Sequence, residues 1–259
     1  MSTTTKVTTE VRGHLLLIGL NRPEKLNAAD LEMLHGLSLA YAKLDEDPEL
    51  RCGVVFAHGD HFTAGLDLMD LGPRLQAGQL TLVPEGGLDP WAMATRPVSK
   101  PVVMATRGTC FTLGVELALA SEVVIAANDS KFAQLEVSRA IMPFGGGTIR
   151  FPEAAGYSNA MRYLLTGDSF GAHEALRMNL VTEVVEPGEE LGRAIEIAQR
   201  IAEQAPLAVQ ATLASARNRA NPAEAKEVFT RLAALLGSND VKRGMMAFMT
   251  KTKAEFKGD

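Results

Sequence analysis

The chain has 259 residues, 46% hydrophobic and 5% aromatic, enough for one large domain with a core of Ala, Val, Leu and Met. A net charge of −5 without any basic stripe excludes a nucleic-acid backbone as the main partner. Cys52 and Cys110 lie in apolar runs and read as buried thiols, not a disulfide framework; no paired spacing among His14, His35, His58, His61 and His173 marks a metal site; and no apolar run reaches signal-peptide or membrane-spanning character, so the expected location is cytoplasmic, with no membrane partner.

In chain order, Lys6–Arg12 alternates and His14–Leu20 is apolar, and Gly13 between them predicts a hairpin. Residues 21–27 form a polar loop. Asp30 then caps a helix with Leu31, Leu34, Leu37, Leu39, Tyr41 and Leu44 at roughly helical spacing, stopped by Pro48. Cys52–Ala57 is a short buried strand, 58–65 a loop, and Leu66–Leu71 the start of a helix. Residues 72–87, with scattered Gly and Pro, read as an irregular flap. Pro90–Met93 opens a short helix that ends near Pro97. Pro101–Thr106 is another buried strand, Leu113–Ala120 a helix and Val123–Ala127 a strand, which gives an α/β alternation.

The glycine-rich run Pro143–Thr148 lacks the ending of a P-loop. A tight turn feeding a helix over Ile149–Ala155 ranks ahead of a phosphate cradle. Beyond residue 156 the pattern turns helical: 157–166, 172–178, 190–204, 207–218, 222–236 and 241–253, interrupted by one strand, Val181–Val185. Asn221-Pro222-Ala223-Glu224 resembles a capping box. We expect a core over 1–200 and a helical region over 201–259, whose surplus of Leu, Met and Phe packs on its own domain or on a neighbouring subunit.

Glu116 and Glu136 stand in apolar surroundings, where a carboxylate is costly to bury unless paired, hydrogen-bonded or protonated. If the fold brings them to one cavity they form a candidate acid/base pair. Otherwise they are surface glutamates at element ends.

Several segments, taken together and in order, resemble the crotonase (enoyl-CoA hydratase/isomerase) superfamily. They are Asn21–Ala28, Phe62–Leu68, Lys100–Val103 with Arg107-Gly108, Gly114–Ala120, Phe132–Glu136, Pro143–Thr148, Leu165–Gly167, Gly244–Phe248 and Phe256–Gly258. The resemblance spans nearly the whole chain. It implies a spiral of repeated ββα units with a C-terminal helical domain that builds a trimer or a dimer of trimers. It also implies an acyl-CoA or enoyl-CoA thioester as substrate, with no cofactor beyond the coenzyme A carried by that substrate.

By position, the resemblance puts oxyanion-stabilising backbone N–H groups on Leu66 and Leu113, with Gly65 and Gly114 allowing the chain to bend beside them. Glu116 and Glu136 become the two hydratase carboxylates, with Glu136 protonating Cα and Glu116 acting on the water. Coenzyme A or substrate contacts fall to Lys25, Asn27 and Ala28, to Ala64, Gly65, Asp67 and Leu68, to Gly114, and, from a neighbouring subunit, to Phe256 and Lys257. Asp67 also caps the following helix. Met69, Leu71, Leu82, Trp91 and Met93 are candidates for lining the acyl pocket. Two departures stand out: Thr112-Leu113 replaces the family's glycine run, and Ser121-Glu122 replaces its Cys-Asp. The retained glutamates favour hydration. The alternatives are Δ3,Δ2-enoyl-CoA isomerisation or another acyl-CoA reaction of the superfamily, and, in a different class, a non-catalytic acyl-CoA-binding or scaffold protein.

Overall fold

Gly13 takes φ +60°, a left-handed conformation that costs glycine nothing, and β1 (Val7–Arg12) folds back antiparallel on β2 (Leu15–Leu20). The structure is a computed structural model and describes residues 5–79, 81–221 and 223–259. From β2 onward the main sheet is parallel. β3 (Cys52–Ala57), β4 (Val102–Thr106), β6 (Val123–Ala127) and β9 (Glu183–Val185) add in the order β1-β2-β3-β4-β6-β9, with β5, β7 and β8 elsewhere. The inner strands β2, β3, β4 and β6 are covered on both faces and are mostly apolar, whereas the edge strand β1 is polar and exposed. In β2, Leu16 and Ile18 enter the larger core with α1 (Leu31–Glu46). Leu15 and Leu17 point the other way, toward α7 (Glu190–Ala202), where Ala194, Ala198 and Ala202 let the helix lie close.

A second, smaller sheet holds β5 (Thr109–Phe111), β7 (Lys131–Ala133) and β8 (Phe170–Gly171). Single bridges extend it, Thr63 to Cys110 and Ala29 to Leu66. Each turn of chain therefore gives one strand to the main sheet, one short strand or bridge to the small sheet, and then a helix. This is the expected spiral of ββα units. The helices that follow the small-sheet segments are α1, α2 (Leu68–Gln76) and α3 (Leu113–Ala120), and α4 (Gly147–Ala155) follows one 3₁₀ turn later.

The predicted hairpin, α1, β3, α3 and β6 form as expected. Asp30 caps α1 by accepting the Met33 N–H at 3.0 Å. Three expectations need correction. The segment after Leu71 is not irregular from Gly72: α2 continues to Gln76 through Pro73. The missing N–H of Pro73 leaves unpaired the carbonyl of Met69, a residue 90% exposed, where water can satisfy it. Pro90–Met93 does not open a helix. The buried Asp89 carboxylate accepts the N–H groups of Trp91, Met93 and Ala94, and so holds the segment as a bent loop. Finally, β5, β7 and β8 are strands that the sequence pattern does not mark.

In the C-terminal part, α5 (Tyr157–Thr166), α6 (Ala172–Arg177) and α8 (Pro206–Arg217) follow the pattern within two residues. α9 is Glu224–Leu236, and α10 is Asn239–Thr250, capped by Ser238. The proposed cap at Asn221–Glu224 includes Pro222, which lies outside the described residues, as does Leu80 in the segment after α2. Glu122, one of the two departures, is held by the Arg217 guanidinium at 2.6 Å and by the Val102 N–H at 2.9 Å. Among the described residues no helix is long and apolar enough to cross a membrane.

Candidate active site

The two segments that the sequence marks as turns meet through the small sheet. Thr63 N–H donates to the Thr109 carbonyl and Phe111 N–H to the Thr63 carbonyl, so the first turn is stitched to β5. Along the first turn every amide but one is taken. Ala64 donates to Leu26, Gly65 to Thr63 Oγ1 and Asp67 to Ala29, while the Leu66 N–H has no acceptor among the described residues. Gly65 stands at φ +103°, as expected for the bend.

At the second turn, Thr112 N–H donates to Ala133, and Leu113 opens α3 with its N–H equally unpartnered. An unpaired amide is normal in the first turn of a helix, where the dipole adds positive character. Thr112 makes the reversal at φ +49°, a costly conformation for a β-branched residue. Gly114, by contrast, is not a bend. A Cβ there would sit 2.6 Å from Thr63 Cγ2 and 3.1 Å from Cys110 Sγ, so the requirement is close packing of α3 on the first turn. Gly65 meets the same constraint: its Cβ would lie 2.2 Å from Thr112 Oγ1, which itself is buried without a partner.

Leu66 and Leu113 line one cavity of about 130 Å³, and Glu116 and Glu136 line it too. Glu116 lies one helical turn beyond Leu113 and is 3% exposed; Glu136 begins the 3₁₀ turn Glu136–Arg139 and is 5% exposed. The glycine-rich run cradles a carboxylate, not a phosphate. Gly145 and Gly147 both donate to Glu116 Oε1, at 2.8 and 2.9 Å, and a Cβ at Gly145 would lie 2.6 Å from its other oxygen. Glu136 Oε2 has no partner.

Burial pushes the Glu116 carboxyl up to about 7, opposed by the Gly147 N–H, raised further by the charge of Glu136 and lowered by the Gly145 N–H. Burial raises Glu136 as well, against its backbone hydrogen bond and Arg139. Burial thus favours the protonated form of both carboxyls, and the charge of Glu136 adds to this at Glu116.

Two side chains hold these parts together: Trp91, expected only as a lining residue, and Arg150, given no role by the sequence. Trp91 Nε1–H donates to the Leu113 carbonyl at 3.0 Å. Arg150 on α4 donates to the carbonyls of Trp91 at 2.7 Å and Gly145 at 3.1 Å, and so ties the Asp89–Ala94 loop to the Glu116 cradle. Gln134, fully buried with both amide atoms unpartnered, lies against Gly147 beside them. An amide in the middle of the apolar run Phe132–Leu135 is the one signal that could have singled it out.

Of the other predicted positions, Ala64, Leu68, Leu82, Trp91 and Met93 line the cavity, whereas Met69 faces solvent and Leu71 belongs to the core. Asp67 caps α2 through Met69 N–H and pairs with Arg22 at 2.7 Å, so its carboxylate is occupied within the protein. Asn27 is fully buried. Its amide accepts from Arg22 N–H and donates to the carbonyls of His58 and His61, which leaves the side chain no reach toward a ligand. Lys25 is exposed, but the N–H groups of residues 25–28 all bond within the loop. Phe256 and Lys257 are not brought to this cavity within one protomer. Their backbone is pinned by Arg51 and Asp240, beside the Gly13 turn at the start of β2.

Such a cavity, with two free amides and two coupled carboxyls, suits chemistry in which negative charge builds on a carbonyl oxygen while a proton moves nearby. The sequence model of enoyl-CoA hydratase/isomerase matches residues 10–259. The chain belongs to the enoyl-CoA hydratase/isomerase family. This family member is 32% identical over 254 residues to enoyl-CoA hydratase EchA19 of Mycobacterium tuberculosis, covering 95% of this chain and 94% of that one. It is 34% identical over 256 residues to (E)-benzylidenesuccinyl-CoA hydratase of Thauera aromatica, covering 97% and 99%. A solved structure described as a probable enoyl-CoA hydratase/isomerase from Mycobacterium abscessus superposes with a TM-score of 0.94 at 47% identity, covering 98% of this chain and 99% of that one. As a member of the hydratase/isomerase family, the chain is an enzyme of that class, with its crotonase fold.

The raised Glu116 carboxyl has a stability consequence. In the unfolded chain this group ionises near 4.5, and in the fold near 7. The proton is therefore held more tightly by the folded state. The associated stability is complete below pH 4.5 and is lost as pH rises to 7, amounting to about 3 kcal/mol. Glu116→Gln keeps an oxygen for the two glycine N–H groups but cannot ionise. Denaturant unfolding from pH 4 to 8 is expected to show the variant gaining on the wild type across this window. Parallel curves would contradict the assignment of a raised pKa.

Proposed function

We propose that this chain is an enoyl-CoA hydratase, adding water across the 2,3 double bond of an enoyl-CoA thioester. The observation that carries the reading is the convergence of Glu116, Glu136 and the unpartnered N–H groups of Leu66 and Leu113 on one cavity. In this reading the thioester oxygen sits on the two amides. Glu116, held ready for ionisation by two glycine N–H groups, takes a proton from water, and the hydroxyl oxygen bonds to C3. The π electrons shift to an enolate whose oxygen the amides stabilise, a contribution of roughly 3 kcal/mol per donor. Glu136, whose bare Oε2 suits the protonated form, delivers its proton to C2. Transfer of a proton from Glu116 to Glu136 then resets the pair.

Coenzyme A would lie along the early loop and first turn, against the remaining carbonyl lone pairs of Lys25 to Ala28 and the backbone of Ala64 and Gly65. Residues 201–259 would form the helical oligomerisation region of a trimer or dimer of trimers, which Phe229, Leu236, Met245 and Phe248, all exposed on α9 and α10, support. Phe256 and Lys257 would meet the nucleotide of an adjacent protomer.

The test is loss of enoyl absorbance with short and medium 2-trans-enoyl-CoA esters, with the product identified by mass as the hydrate. Conversion only of 3-enoyl esters to 2-enoyl esters would move the protein to the isomerases. Binding without turnover, followed through the single tryptophan at the cavity wall, would make it a non-catalytic acyl-CoA binder. Because Glu116 must be ionised and Glu136 protonated, kcat/KM should rise through about pH 7 as Glu116 ionises and fall again where Glu136 loses its proton. A flat profile from pH 5 to 9 would contradict the acid/base pair.

A further inference from the structure

We infer that the acyl group taken by this site carries an anionic substituent beyond C3, a carboxylate in its simplest form, and that Arg139 receives it. The inference rests on the hydratase reading, which fixes the thioester end at Leu66 and Leu113 and C2–C3 at the two glutamates.

Among the described residues that line the cavity, Arg139 is the only cation. Most of the wall around it is apolar, formed by side chains such as Trp91, Ile141 and Phe144. Arg139 is exposed at the cavity mouth; of its five N–H donors, one is engaged among the described residues, from Nη1 to the Leu135 carbonyl at a long 3.3 Å. Its charge is felt by the Glu136 carboxyl. The acids that share the cavity are otherwise committed. Asp89 accepts three backbone N–H groups, Glu116 accepts two, and Glu136 is assigned to proton transfer.

The spacing sets where the anion belongs. Glu136 and Arg139 open and close one 3₁₀ turn. The Arg139 guanidinium reaches back to the Leu135 carbonyl, beside Glu136, whose carboxyl feels its charge. Ile141 and Phe144 line the same cavity. A planar guanidinium with free donors favours a carboxylate, which it can hold through two parallel N–H···O bonds.

The experiment compares kcat/KM for 2-trans-enoyl-CoA esters of matched length that end in a methyl or in a carboxylate, using wild type, Arg139→Leu and Arg139→Lys. We expect the wild type to prefer the carboxylate ester by at least about tenfold. Arg139→Leu should remove that preference while leaving the methyl ester within a few-fold, and Arg139→Lys should retain part of it. Equal rates for the two esters in wild type would overturn the inference. So would an equal loss on both in Arg139→Leu, which would place the arginine on a coenzyme A phosphate or in a structural role. If wild type hydrates neither ester, the hydratase reading fails. The anion site is then judged separately, by Trp91 fluorescence titration with saturated carboxyacyl-CoA and acyl-CoA of equal length: tighter binding of the first, lost in Arg139→Leu, supports it, and equal binding overturns it.

Discussion

Glu136→Gln and Glu116→Gln are each expected to lower kcat for hydration by two to four orders of magnitude, the range that a positioned acid or base supplies. In Glu136→Gln the proposed C2 proton donor is gone, while the amide occupies the same buried space. In Glu116→Gln the Gly145 and Gly147 N–H groups still find an oxygen acceptor, so the cradle survives and the proposed base does not. The double variant should be little worse than the weaker single, because the two groups act on one water and one proton. Steady-state hydration assays measure this, and Trp91 fluorescence checks that acyl-CoA still binds. A loss below about tenfold in both single variants would remove the pair from the mechanism.

The second large effect concerns the turns that present the two amides. Gly65→Ala introduces a Cβ 2.2 Å from Thr112 Oγ1 at a backbone position of φ +103°. The first and second turns must separate, and the Leu66 and Leu113 N–H groups lose their common target. We expect a 10²- to 10³-fold loss in kcat, comparable with removal of one oxyanion donor. All three close neighbours of the new methyl belong to the Thr112 side chain. Thr112→Gly added to Gly65→Ala should therefore recover part of the loss, although the positive φ of residue 65 remains strained. Rescue of this kind is a coupling that independent sites would not show, and strict additivity of the two changes would sink the account.

Much of the framework was legible because it is written in local periodicity. β2 and β3 are apolar on both faces, α1 carries its stripe and its Asp30 cap, and α3 and β6 follow one another at the expected places. What escaped was of two kinds. β5, β7 and β8 are two or three residues long, too short for any period, and exist because successive turns of the spiral lie side by side. The Asp89–Ala94 loop has a helical composition, but one buried carboxylate captures the amides that a helix would have used. Gly114 shows the same limit on a smaller scale. Its residue type was noticed, yet its reason lies in Thr63 and Cys110, distant in sequence and adjacent in space.

The sequence by itself determined the order of the main-sheet strands and of most helices, the presence of two glutamates in apolar surroundings, and a pattern of motifs that resembles one superfamily. Only the tertiary structure decided that Glu116 and Glu136 share a cavity, that the glycine run serves a carboxylate, and that Trp91, Arg150 and Arg139 stand around it. The physical reason is that a free N–H is defined by its neighbours' bonds. Leu66 and Leu113 are ordinary leucines until the fold has used the adjacent amides and left theirs unpaired.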